Sequence, residues 1–231
     1  MIKSHSKIGL SFALCYLSQA FSMPHQQIYT AINAGVFQAN FSSQYLDQTD
    51  LIAQNITESI QQNGYTGGIA LGYIPFIKQH FYFGGEISAH LNSDSAIYQS
   101  GASTAAFSDT LQWRDYLDFS FISGIITNSS FSPYLKLGLS YAHIKDSLIS
   151  PTGYTPTFAN YPANKNTLGF AAALGVTHDV SKKVALFSEV TVHDYATLNF
   201  DNFQNFTANY THSAHLRAYG LSIGAAYIFN T

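Results

Sequence analysis

Glu86, Ser88 and His90 place a carboxylate, a hydroxyl and an imidazole at alternate positions of one stretch, the three groups with which a hydrolase activates a serine. Side chains two apart on a strand stand ~7 Å apart, too far for a direct serine to histidine hydrogen bond without long-side-chain reach, so the spacing assigns the row to polar lining. A second set, Glu86, Arg114, Asp118, Lys136 and Glu189, recurs opposite rows of large apolar residues. Unpaired charges there would be costly and paired ones tolerable, which predicts an internal salt-bridge network. His212 and His215, with His193 and Asp194, are the one group that suggests a metal ion. Their spacing fits neither a helical nor an alternate-strand ligand pair, so they read as loop histidines, and neither a metal site nor a cofactor is expected.

These residues need strands to position them. Leu168, Phe170, Ala172, Leu174 and Val176 alternate with Gly169, Ala171, Ala173 and Gly175; after the polar turn His178–Lys183, Val184, Leu186, Val190 and Val192 alternate with Glu189, Thr191 and His193. A period of two means strands, and a greasy face backed by Gly, Ala, Thr and single charges suits lipid outside and a crowded polar lumen inside. The same alternation recurs over 28–41, 65–73, 81–91, 113–125, 134–141 and 219–229. In it Trp113, Leu117, Phe119 and Phe121 face outward, and Arg114, Tyr116, Asp118 and Ser120 inward. Short turns are expected at Pro75–His80, Asn128–Ser130 and His178–Lys183. Long polar loops are expected at Ser42–Asn63, with a short helix conceivable over Leu51–Ile60, and at Asn92–Gln112, His143–Asn166 and Asp194–Ser213. Together they describe an all-β, roughly eight-stranded antiparallel transmembrane barrel.

Composition agrees. The 231-residue chain is 10% charged and 15% aromatic, with 16 Tyr and 18 Phe, against about 25% charged in soluble domains, yet no stretch past the N-terminus reaches the ~18 consecutive apolar residues of a spanning helix. Residues 1–22 read as a signal peptide: Lys3 and Lys7, an apolar core from Ile8 to Leu17, and Ala20-Phe21-Ser22 as the cleavage site. Residues 23–231 form the barrel domain. Its single-cysteine chain would lose Cys15 with the signal, which excludes a disulfide framework and thiol catalysis. Removing Lys3 and Lys7 from the 10 basic residues leaves 8 against 13 acidic, so nucleic acid is not an expected partner. Asn-x-Ser/Thr triplets at Asn40, Asn55, Asn128 and Asn205 are expected by chance in so Asn- and Ser-rich a chain.

The run Gly175–Val190, a polar turn entering a strand with an inward Glu189, resembles the hairpin of small OmpA-like and opacity-type outer-membrane barrels. The closing Gly220–Phe229 is similar to their C-terminal assembly signal, although Asn230 and Thr231 follow the aromatic. The resemblance implies an outer-membrane location and an interior ion-pair network, matched here at Glu86, Lys136 and Glu189. Implied partners are outer-membrane lipids and lipopolysaccharide, the barrel assembly machinery through the last strand, and host-surface molecules at the loops. It leads to a non-enzymatic role in envelope structure and surface interaction, with a narrow ion or solute channel as the first alternative and a lipid-modifying enzyme as the second. The His-x-Ser pairing of barrel lipid A deacylases is absent.

Overall fold

A computed structural model describes residues 26–47, 54–78, 80–93, 96–99, 108–127, 131–149, 161–205 and 208–230; the signal peptide expected over 1–22 and the loop tips lie outside them. Ten strands run in chain order: β1 Gln27–Asp47, β2 Gln54–Lys78, β3 Phe81–Asn92, β4 Ala96–Gln99, β5 Ser108–Ile125, β6 Phe131–Ile149, β7 Tyr161–Asp179, β8 Val184–Tyr195, β9 Leu198–Asn205 and β10 Ala208–Asn230. Every pairing is antiparallel between neighbours in the order β1-β2-β3-β5-β6-β7-β8-β10, and β1 pairs β10 along its whole length from Gln27↔Asn230 to Asp47↔Tyr210. Closure leaves the wall without an edge, the condition for a sheet to sit in hydrocarbon. The two short strands extend wall strands: β4 takes over from β3 against β5 at Ala96↔Leu111, and β9 takes over from β8 against β10 at Ala214↔Leu198. Eight wall strands therefore suffice, two of them interrupted.

Outside, Ile32, Ile69, Leu91, Leu139, Leu168 and Ile223 are all exposed, as are some two dozen other large apolar residues. In water such a belt would be insoluble; against acyl chains it stabilises the barrel. The wall is taller than the belt needs. A membrane strand takes ~9–11 residues, whereas β1 has 21 and β2 has 25, so at ~3.3 Å per residue and a tilt near 40° β1 rises ~50 Å. The excess lies at the end opposite the short turns, where ladders continue as paired hairpins, β1–β2 to Asp47↔Gln54 and β6–β7 to Leu148↔Tyr161. Segments that read as loops are thus largely strand: their outward residues, such as Ser42, Ser59, Gln61 and Asn63, are exposed and polar, while Ser43, Ile60 and Gln62 between them are buried inward, and without an apolar outer face the alternation does not separate such a strand from a coil. Gln54–Ile60, within the stretch where the sequence allows a helix, belongs to β2.

Two irregularities explain the other departures. The register of β5 against β6 shifts between Trp113 and Asp115, a bulge whose extra residue, Arg114, flips the alternation above it. Trp113 therefore faces the lumen, 2% exposed, and Arg114 lies on the exposed outer surface, the reverse of the strict alternation. In β2 the register shifts between Tyr73 and Phe76. The strand absorbs Pro75 there and runs on to Lys78, which shortens the turn expected over Pro75–His80; a bulge is where a strand can accommodate a residue lacking an N–H.

Candidate functional site

Large inward rings face glycines on the adjacent strand, and this pattern builds the lumen. Tyr29 pairs with Gly72 and Tyr134 with Gly175; a Cβ on either glycine would collide with the tyrosine ring. With that space empty, each ring lies flat over the intervening strand and its hydroxyl reaches the strand beyond. Tyr29 on β1 crosses β2 and donates to Glu86 Oε2 on β3 at 2.5 Å, and Tyr134 on β6 crosses β7 and donates to Glu189 Oε2 on β8 at 2.9 Å. Tyr195 crosses Gly169 in the same way to meet Ser140 Oγ at 2.7 Å.

Between the two carboxylates stands Lys136 on β6, with one strand intervening on either side, β5 toward Glu86 and β7 toward Glu189. Its Nζ lies 2.8 Å from Glu86 Oε1 and 2.7 Å from Glu189 Oε2, with the Tyr134 and Phe187 ring centroids at 5.4 Å and 5.9 Å. Glu86 and Glu189 are both 8% exposed. Tyr29, Glu86, Tyr134, Lys136 and Glu189 thus make a charged septum across the lumen, each charge held by more than one partner, as burial demands.

Toward the long hairpins a second layer holds Asp118, whose Oδ2 is 3.0 Å from His193 Nε2 on the far wall. His90 stacks on Tyr116 at 4.5 Å and Tyr116 on Trp113 at 4.6 Å. Above them Phe37, Phe41, Leu111, Trp113, Ile144, Tyr195 and Leu216 form a buried apolar stopper. The Trp113 backbone N–H at the bulge donates to Gln62 Oε1 at 3.1 Å, so the irregular strand keeps its donor satisfied.

Of the five charges expected inside, Glu86, Lys136 and Glu189 meet in the septum, Asp118 pairs instead with His193, and Arg114 is outside the barrel. Ser88 and His90 meet by long-side-chain reach: the imidazole folds back along its own strand and Nε2 comes within 3.1 Å of Ser88 Oγ. Glu86 faces Lys136, not this pair, and the space beside Ser88 and His90 is about 30 Å³, room for about one water and not for an acyl substrate. The four residues considered for a metal do not converge in the part that is described. His193 points into the lumen and Asp194 out of it, where it meets His215 Nε2 at 3.0 Å and Arg217 at 2.6 Å; the side chain of His212 lies outside the described residues. Among those, no cluster of three His, Cys, Asp or Glu side chains is present. Tyr29 and Tyr134 are the septum members that the sequence reading did not include in the network. The cue available for each is an aromatic at inward parity, opposite Ile28 and Ile32 or Leu135 and Leu137, with a glycine on the strand to follow.

A closed eight-stranded wall with an apolar exterior invites comparison with solved barrels. The structure matches OprG, an outer membrane protein of Pseudomonas aeruginosa, with a TM-score of 0.52 at 16% identity over 90% of this chain and 98% of OprG. It matches a major outer membrane protein of Thermus thermophilus at 0.55 and 13% identity over 89% of this chain and 100% of that one. The chain has the fold of a small outer-membrane β-barrel. That is the fold implied by the resemblance to OmpA-like and opacity-type barrels. In sequence, an uncharacterized protein of Coxiella burnetii (strain RSA 493 / Nine Mile phase I) is 26% identical over 212 residues, 85% of this chain and 82% of the relative. No family model matches.

Proposed function

We propose that this outer-membrane barrel is a non-enzymatic, non-conducting structural element of the envelope whose strand-extended hairpins present the outer surface for contact. The observation that carries this reading is the filled lumen. A solute entering from either end meets the Glu86–Lys136–Glu189 septum and the stopper around Trp113 and Phe41, and either layer alone would oppose passage, the first by ion-pair rupture and the second by desolvation. The lack of room at Ser88 and His90 supports a non-enzymatic role. Lipopolysaccharide and phospholipid would cover the apolar belt, and Tyr227 and Phe229 on the last strand would engage the assembly machinery. The long hairpins would supply any contact with host molecules, since specificity on a rigid barrel resides in what it displays beyond the membrane.

Deleting the gene tests the reading. The expected result is increased detergent sensitivity of the cells with an unchanged lipid A mass profile, and loss of any surface adhesion when the β6–β7 hairpin is shortened. An altered lipid A profile that the wild-type gene restores and a Ser88→Ala copy does not would establish the enzymatic alternative instead.

A further inference from the structure

Below the septum, at the end bearing the short turns, the barrel encloses a cavity of about 350 Å³, within the ~300–1,000 Å³ of small-molecule sites. Its lining is segregated. Ile74, Ile122, Ile228 and Phe187 supply apolar wall, Tyr82 and Tyr134 supply rings, and Glu86 with Lys136 forms the floor. Asp179 and Lys182 oppose each other in sign at the mouth. The cavity is blind, because beyond the floor there is space of only about 30 Å³.

The floor is not electrically balanced. Glu189, which lies behind the floor and does not itself line the cup, shares the Lys136 ammonium with Glu86, so the septum on which this largely apolar cup ends carries one negative charge in excess, while Asp179 and Lys182 at the mouth cancel. The rings already accept a cation, since Lys136 Nζ sits over both Tyr134 and Phe187, an arrangement favoured by the ring quadrupole. An anionic ligand would have to compete with Glu86 for Lys136; a neutral one would fill the wall and leave the excess charge uncompensated. We infer that this cup is a periplasm-facing binding site for a single small amphipathic amine, an alkyl- or arylammonium whose charged head lies beside Glu86 and the tyrosine rings and whose apolar group packs on the isoleucine wall. A barrel that conducts nothing can hold such a ligand, so the inference stands apart from the envelope role.

The test uses the full-length protein folded in lipid nanodiscs, with empty nanodiscs as the blank and three matched probes at neutral pH: phenethylamine, 2-phenylethanol and 3-phenylpropionate. Calorimetric titration should give saturable binding of the amine at least tenfold tighter than of the alcohol or the acid. Glu86→Gln should weaken the amine about tenfold and leave the alcohol unchanged. Ala226→Trp, or Ala185→Phe on the neighbouring strand, fills the cup and should abolish amine binding in barrels that still show the heat-dependent gel shift of folded protein. Equal affinity for the three probes, no saturable binding of the amine, or amine binding that survives both cup-filling variants would overturn the site.

Discussion

Lys136→Met keeps an unbranched stem in the lumen and deletes the ammonium that joins Glu86 to Glu189 at 2.8 Å and 2.7 Å. Breaking a buried pair by removing one partner costs about 3–5 kcal/mol, because the other charge is left desolvated. Here one substitution orphans two carboxylates. The hydroxyls of Tyr29 and Tyr134 continue to donate to them, which offsets part of the penalty, so a loss of about 3–5 kcal/mol is expected for the two together. The triple variant Glu86→Gln/Lys136→Met/Glu189→Gln removes both carboxylate charges along with the ammonium and should return to within about 1 kcal/mol of wild type, since a buried ion-pair group exchanged for neutral residues of similar volume is often close to neutral in stability. Reversible urea unfolding in phosphatidylcholine vesicles reads both numbers, with Trp113, the single tryptophan of the chain, as the fluorophore in the stopper. A single-variant loss below about 1 kcal/mol, well under the cost of stranding a buried charge, or a triple variant no more stable than the single one, would refute the septum as described.

Three further expectations follow from the same geometry. Trp113→Ala should cost about 3–5 kcal/mol, the range for a buried aromatic cut to alanine, whereas Arg114→Ala should stay within about 0.5 kcal/mol, as surface changes do; urea unfolding followed for both by circular dichroism of the strands, which needs no tryptophan, reads the bulge directly, and reversed magnitudes would restore strict alternation. Gly175→Leu should cost about 1–3 kcal/mol by overpacking, since its side chain needs the place of the Tyr134 ring; pairing it with Tyr134→Ala in a double-mutant cycle should recover part of the loss, and strict additivity would mean that the ring does not lie there. Asp118→Asn should destabilise more than Asp194→Asn by equilibrium unfolding, because Asp118 meets His193 in the buried lumen while Asp194 meets Arg217 on the exposed outer surface, where solvent screens an ion pair.

The architecture was readable because a transmembrane barrel writes its topology into a period of two: the faces of β3, β6, β7, β8 and the last part of β10 follow the alternation residue by residue. Glu86, Lys136 and Glu189 were legible for the same reason, as charges at the parity of Gly and Ala on strands whose other face is greasy. What alternation cannot supply is where it resets. The bulge at Arg114 carries no composition mark, and a single extra residue exchanged the faces of Trp113 and Arg114. Nor does it say which inward residues meet across the lumen. Asp118 and His193 lie on opposite walls, 75 residues apart, and their pairing depends on strand stagger that only closure fixes. Whether Ser88 and His90 touch is open at the level of spacing, because it depends on a long side chain bending back along its strand. The polar hairpins were indistinguishable from loops because no face of them is buried against lipid.

The central claim is that the lumen is shut, and single-channel recording in planar bilayers tests it most directly. Folded wild-type protein, identified by its heat-dependent gel shift, should insert without stable open levels in molar potassium chloride, and Trp113→Ala/Lys136→Met, which opens the stopper and the septum together, should conduct. A steady open level from the wild-type barrel, unchanged in that double variant, would contradict the account.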